Sequence, residues 1–281
     1  MKPSTPTNKP AEPPAPLSLE NLEYVPGVLG DIARERFRAY EGALIEGGLK
    51  SALLKPRERP RFKDALAAEG LSVIAEIKRS SPSQGAIAAL NPVAAARAYA
   101  RGGASALSVL TEPNHFGGAL EHLSHVADVV NLPLLRKDFT LHPAQLTEAK
   151  RAGASAVLLI VAILGKATQS YLHYAQSLGL DALVEVHNEA ELQTALEAGA
   201  DIIGVNNRDL RTLEIDLSNA PKLISLAKEQ GFEDVLVAES GYRSAAELRH
   251  LQGVADAVLI GTSIAGSGDL EAAVKALREN L

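Results

Sequence analysis

Arg101-Gly102-Gly103-Ala104-Ser105-Ala106-Leu107-Ser108-Val109-Leu110 reads as a helix end, a glycine C-cap, a tight turn and a buried strand. Versions of the same phrase recur at Arg151-Ala-Gly-Ala-Ser-Ala-Val-Leu-Leu-Ile, Glu197-Ala-Gly-Ala-Asp-Ile-Ile-Gly-Val-Asn and Gln252-Gly-Val-Ala-Asp-Ala-Val-Leu-Ile-Gly. Glycines 103, 153 and 199 are 50 and 46 residues apart, long for one strand–helix unit and right for two. The intervening strands are Leu132 to Asp138, Ala182 to Val186 and Val235 to Ser240. With the opening run Val73-Ile74-Ala75-Glu76-Ile77-Lys78 they make eight, separated by helical stretches around 92–101, 118–129, 143–152, 167–178, 188–198, 218–229, 244–251 and 269–279. Near-continuous apolar strands alternating with amphipathic helices indicate an all-parallel sheet, and eight units over residues 71–281 fit a closed barrel. The alternative is an open doubly wound sheet, weakened because no Gly-x-Gly-x-x-Gly follows strand one. The predicted fold class is α/β, a single (β/α)8 TIM barrel with an N-terminal helical extension.

Ahead of the barrel, residues 1–16 hold six of the fifteen prolines and are expected to be a disordered tail. Residues 17–70 are expected to form the extension packed over the barrel, with an amphipathic helix from Val28 to Ile45, a stop at Gly47-Gly48 and a short helix from Phe62 to Ala68. The basic connector Lys55 to Lys63 reads as a solvated loop, with a cover over an anionic ligand as the alternative.

Composition narrows the function classes. The 281 residues are 46% hydrophobic with a net charge of −6, so no global basic field draws nucleic acid or an anionic membrane. An anionic substrate has to be held by a local positive cluster. The absence of Cys excludes disulfides, thiolate metal sites and a Cys nucleophile. The longest apolar run, Ala156 to Leu164, is far short of the roughly 20 residues of a membrane helix, and no secretory h-region is visible, so the expected address is cytoplasmic. His122 and His125 share a helix face, but no carboxylate or Cys stands in ligand register, and no metal site is predicted.

In a barrel of this kind the C-terminal strand ends converge on the active site. Strand one ends with Glu76 and Lys78, strand three with Arg136-Lys137-Asp138-Phe139, strand five at Glu185, strand six in Asn206-Asn207-Arg208-Asp209, strand seven in Glu239-Ser240-Gly241 and strand eight in Gly261-Thr262-Ser263. A solvated-loop explanation serves for Asp209 or His187 but poorly for Glu76, Lys78, Lys137 and Glu185, charges on otherwise apolar strands. Two lysines and two glutamates around one cavity suit proton transfer, since burial and neighbouring charge separate their pKa values. The glycine-hydroxyl turns at Ser240-Gly241 and Gly261-Thr262 occupy the usual phosphate position of the fold, and with Ser81 they make a cradle for one phosphate. Lys78, Lys137 and Arg208 supply positive charge.

Taken together, Ile74-Ala-Glu-Ile-Lys-Arg-Ser-Ser-Pro-Ser, Leu134-Leu-Arg-Lys-Asp-Phe, Leu183-Val-Glu-Val-His, Gly204-Val-Asn-Asn-Arg-Asp-Leu and Ala238-Glu-Ser-Gly resemble the indole-3-glycerol phosphate synthase family over roughly residues 17–281. The resemblance implies closure of an indole ring, with 1-(2-carboxyphenylamino)-1-deoxyribulose 5-phosphate losing CO2 and water to give indole-3-glycerol phosphate. It implies Lys137 as general acid, Glu185 with Lys78 for the proton movements of dehydration, and Glu76 to orient both lysines. Asn206 and Arg208 would position the intermediate and its carboxylate. Ser81, Ser240, Gly241, Gly261 and Thr262 would hold the phosphate, and Phe116 and Phe139 would face the anthranilate ring. No cofactor is called for, because rearomatisation drives the decarboxylation. The implied partner is a small phosphorylated molecule, with association with other tryptophan-pathway enzymes left open. A Schiff-base aldolase using Lys137 or Lys78 is the second enzyme reading, and a non-catalytic binding barrel the third.

Overall fold

The computed structural model describes residues 11–45, 59–82, 85–86, 90–209 and 212–279, without the side chains at 43–45, 81 and 86. Among the described residues, parallel strands β1 (Ser72–Ile77), β2 (Ala106–Leu110), β3 (Leu134–Lys137), β4 (Ala156–Ile160), β5 (Asp181–Val186), β6 (Ile202–Asn206), β7 (Val235–Glu239) and β8 (Ala257–Ile260) close into a barrel in chain order. β8 returns to β1, with Ser72 beside Ala257 and Ile74 beside Leu259. The (β/α)8 architecture expected from the repeat is the one observed. Each strand faces the barrel interior on one side and a helix on the other, so both faces are dry; this is why the strands read as apolar runs rather than alternating ones. A two-residue antiparallel pair, Ser80–Ser81 with Gly85–Ala86, follows β1.

Among the described residues, three helices precede the barrel: α1 (Leu19–Glu23), α2 (Gly27–Ile45) and α3 (Phe62–Leu66). The outer layer is α4 (Pro92–Arg101), α5 (Leu120–Val129), α6 (Pro143–Arg151), α7 (Val161–Leu164), α8 (Thr168–Ser177), α9 (Glu189–Glu197), α10 (Asn219–Glu229), α11 (Ala245–Leu248), α12 (Thr262–Ala265) and α13 (Leu270–Arg278). Side-chain caps start several of them: Asn91 accepts from Val93 and Ala94 N–H ahead of α4, and Asn188 from Glu191 N–H ahead of α9. The short helices α1, α7 and α12 have no counterpart in the apolar periodicity, being one turn each. Among the described residues no helix is long and apolar enough to cross a membrane.

The segment before the barrel touches both of its ends. At the C-terminal end, Val28, Leu29 and Ile32 of α2 form part of the wall of the central cavity. At the other end the described part of the basic connector, Arg59 to Lys63, is bound rather than solvated. Arg61 pairs with Asp181 at the start of β5 at 2.5 Å, Lys63 with Asp234 ahead of β7 at 2.7 Å, and Arg59 donates to Val130 O at 2.7 Å. Lys55 to Glu58 and Gly47-Gly48 lie outside the described residues, as do residues 1–10 of the Pro-rich tail. Further along that tail the backbone already meets the barrel: Ala15 O accepts from the Tyr171 hydroxyl at 3.3 Å, and Leu17 N donates to Leu141 O at 3.0 Å.

Candidate active site

The barrel register brings the chemistry to one rim. Glu76 lies beside Ser108, Leu110 beside Lys137, Ile160 beside Glu185 and Asn206 beside Glu239, so the charged side chains stand at the C-terminal ends around one axis. They line a cavity of about 340 Å³, within the range of small-molecule sites. Glu76, Lys78, Phe116, Lys137, Phe139, Glu185, Asn206, Arg208, Ser240, Gly241, Gly261 and Thr262 all line it. The side chain of Ser81 lies outside the described residues, although its backbone sits in the short antiparallel pair.

Lys137 Nζ donates to Glu185 Oε2 and to Glu239 Oε2, each at 2.8 Å. Burial opposes its charge, but Glu185, Glu239 and Glu76 outweigh that and raise its pKa well above the ordinary lysine range. It is held as an ammonium. Glu185 goes the other way from its neighbour Glu239. Burial would raise it, yet Lys137 and then His187 hold the Glu185 carboxyl well below the usual range. For Glu239, burial wins: helped by Glu185 and Glu76 and opposed by Lys137, it lifts this carboxyl to about 7. One lysine thus bridges a carboxyl held ionised and one that titrates near neutral pH.

Lys78 Nζ, just past the end of β1, pairs with Glu76 Oε1 at 2.6 Å. The resemblance has Glu76 orient both lysines. In the structure it binds Lys78 directly and reaches Lys137 only through its charge. Two glycines make room for these carboxylates: a Cβ at Gly204 would collide with Glu239 Oε1, and one at Gly261 with Glu76 Oε1. Gly261 therefore has a packing reason to be glycine beside any role at a phosphate.

At the strand-seven turn, Ser240 and Gly241 have φ of +67° and +94° in succession, a left-handed pair that turns backbone toward the cavity. Asn207 locks it, its Nδ2 donating to Ser240 O at 3.0 Å while its Oδ1 accepts from Ala220 N at 2.9 Å. Arg208 Nη1 donates to Leu213 O at 2.8 Å, and its backbone N–H donates to Asn206 Oδ1 at 3.0 Å. Burial, then the like charge of Arg243, lower its pKa, while Glu76 opposes the shift. On the opposite wall the Phe116 and Phe139 rings lie 6.2 Å apart. Glu112 holds Phe116 there by accepting the backbone N–H groups of Asn114, His115 and Phe116.

The family model described as indole-3-glycerol phosphate synthase matches residues 34–277. The chain belongs to the indole-3-glycerol phosphate synthase family. A protein of that name from Deinococcus radiodurans is 54% identical over 263 residues, covering 92% of this chain and 97% of the relative. One from Mycolicibacterium vanbaalenii is 44% identical over 253 residues, covering 89% and 90%. Among solved structures, thiamine phosphate pyrophosphorylase from Pyrococcus furiosus superposes with a TM-score of 0.57 at 16% identity, over 78% of this chain and 97% of that one, a likeness of fold alone. A reading by strand ends meets three further side chains of this family member without giving them a role. Glu239 is hidden in a turn-like phrase, Asn207 beside the more conspicuous Asn206 and Arg208, and His187 reads as a loop residue although its side chain is only 12% exposed. The signal that marks Glu239 in the sequence is a carboxylate closing an apolar strand, the same one that marks Glu185.

Proposed function

We propose that this protein converts 1-(2-carboxyphenylamino)-1-deoxyribulose 5-phosphate into indole-3-glycerol phosphate, with release of CO2 and water. The observation that carries the reading is the Lys137 ammonium fixed between Glu185 and Glu239 inside the cavity that also holds Phe116, Phe139 and the Ser240-Gly241 turn. Ring closure needs an acid at the ketose carbonyl while the aryl carbon attacks, and Lys137 is held charged for that step. Once the new bond has formed, loss of CO2 restores the ring electrons, and loss of the hydroxyl as water needs a proton delivered to oxygen and one removed from carbon. Glu185, ionised and buried, is the base, and Lys78 beside Glu76 is the second proton carrier. Ser240, Gly241, Gly261 and Thr262, with Ser81, take the phosphate; Asn206 and Arg208 take the carboxylate end; the two phenylalanines take the anthranilate ring.

Residues 17–70 act in this reading as a cover for the barrel of residues 71–281, with α2 closing one side of the site. The reaction is cytoplasmic, on a free phosphorylated metabolite, beside other enzymes of tryptophan biosynthesis. The aldolase alternative is the weaker one, because a Schiff-base lysine has to shed its proton before attack and two glutamates oppose that at Lys137. Incubation with the carboxyphenylamino substrate tests the proposal. The chain contains no Trp, so indole emission rises over tyrosine background alone. Borohydride trapping with a phosphorylated ketose leaves Lys137 unmodified; a trapped adduct without indole formation would favour the aldolase.

A further inference from the structure

Glu185 and Glu239 bind the same ammonium at the same 2.8 Å, both carboxyls are buried, and yet they titrate in opposite directions. One lysine cannot distinguish them. The difference stands behind Glu185, at the end of β5. His187 Nε2 is 3.4 Å from Glu185 Oε1, and His187 Nδ1 is 2.9 Å from Glu191 Oε2, in the first turn of α9. Nε2 is buried and has no well-aligned hydrogen bond among the described residues, so the nearby Glu185 carboxylate is the partner it faces.

The imidazole is held there rather than left to rotate. Glu191 Oε2 also accepts the His187 backbone N–H at 2.8 Å, and Glu191 Oε1 accepts from Asn188 Nδ2 at 2.7 Å. From α10, Asn219 Nδ2 donates to the His187 carbonyl at 3.1 Å. The charged groups acting on the ring are Glu185 and Glu191, one on each nitrogen. Burial opposes an imidazolium, but these two carboxylates lift its pKa to about 10. Glu185 therefore has a cation on each oxygen, whereas Glu239 has a share of one, and its Oε1 is buried without a partner among the described residues.

We propose that His187, clamped by Glu191, is the positioning residue that singles out Glu185 from Glu239 as the ionised base of the Lys137 bridge. It occupies Oε1 and leaves Oε2 to Lys137 and the reacting proton. It touches no substrate and acts through Glu185. The proposal deepens the ring-closure reading and rests on it for the word base; the charge assignment stands on the geometry.

Two measurements on His187→Gln, with Glu191→Gln as a second variant, test it. The first is a carbon-13 NMR titration of the Glu185 and Glu239 carboxyls in ligand-free protein, which is independent of any substrate. Removing the imidazolium raises the Glu185 midpoint, narrowing the gap to Glu239, and Glu191→Gln moves it the same way by less. The second is the pH profile of kcat/KM. Its limb at acid pH, well below the region where Glu239 titrates, moves up by about one pH unit, with KM changed by less than about threefold. An unmoved Glu185 midpoint in either folded variant overturns the assignment, as does a profile that only scales down without shifting. If the wild type makes no indole product, the ring-closure reading fails while the titration still decides the role of His187.

Discussion

Arg36 of α2 grips Asp138 with one edge of its guanidinium, Nε to Oδ1 at 3.0 Å and Nη2 to Oδ2 at 2.8 Å. Asp138 is the residue after Lys137, so this fork ties the segment ahead of the barrel to the strand that carries the proposed acid. Thr111 and Arg136 complete the shell, donating to Asp138 Oδ2 at 2.7 and 3.0 Å.

Replacing Arg36 with Ala removes one partner of a buried ion pair. Because Arg136 and Thr111 remain, the loss should sit at the low end for such sites, about 3 kcal/mol in urea unfolding. Its pH dependence is also fixed in sign. Burial would raise Asp138, but Arg36 and Arg136 outweigh it and bring the carboxyl from 3.8 down to about 2. A depressed carboxyl contributes stability above its unfolded pKa and loses it as pH falls through the folded one, here between about 4 and 2, worth roughly 2 kcal/mol. The Arg36→Ala protein should show a smaller loss of stability across that window. An unchanged acid transition would separate Asp138 from Arg36.

Glu239 should govern activity near neutrality. With its carboxyl lifted to about 7, chiefly by burial, the wild-type kcat/KM profile should contain an inflection there, and Glu239→Gln should flatten it. A profile with the same inflection in the variant would assign that titration to another group.

The phosphate turn is tested by Gly241→Ala. At φ +94° an L residue is strained, and its Cβ would press on Ile215 and Leu217 at 2.6 and 2.7 Å. The turn should open, raising KM for the phosphorylated substrate by about tenfold or more, while kcat falls less. Asn207→Ala should act in the same direction, since it frees Ser240 O.

The barrel was legible because its strands are dry on both faces and its helix ends repeat a glycine phrase, so the decisive pattern is local. The residue types at the rim were legible for the same reason: Glu76, Lys137 and Glu185 interrupt apolar runs. Their partnerships were not. Lys137 meets Glu239 across 102 residues of chain, a contact made by barrel closure and absent from any local period. Glu239 stands at a strand end but draws no role from the sequence, because Ser240 and Gly241 after it look like turn residues. His187 follows a strand and precedes a capped helix, so it resembles a loop residue until α9 brings Glu191 onto its ring. The basic connector reads as solvated because its carboxylates, Asp181 and Asp234, lie more than a hundred residues away.

On the proposed mechanism Lys137 donates the proton that starts ring closure. Steady-state kinetics of Lys137→Met with the carboxyphenylamino substrate test it most directly, because methionine keeps most of the apolar stem and removes the ammonium, which is both the acid and the counter-ion of Glu185 and Glu239. In this variant kcat should fall by about 10²-fold or more while KM changes far less, since the phosphate turns at Gly241 and Gly261 are untouched. A variant with near-normal kcat and a raised KM would contradict it, and would move the acid to Lys78.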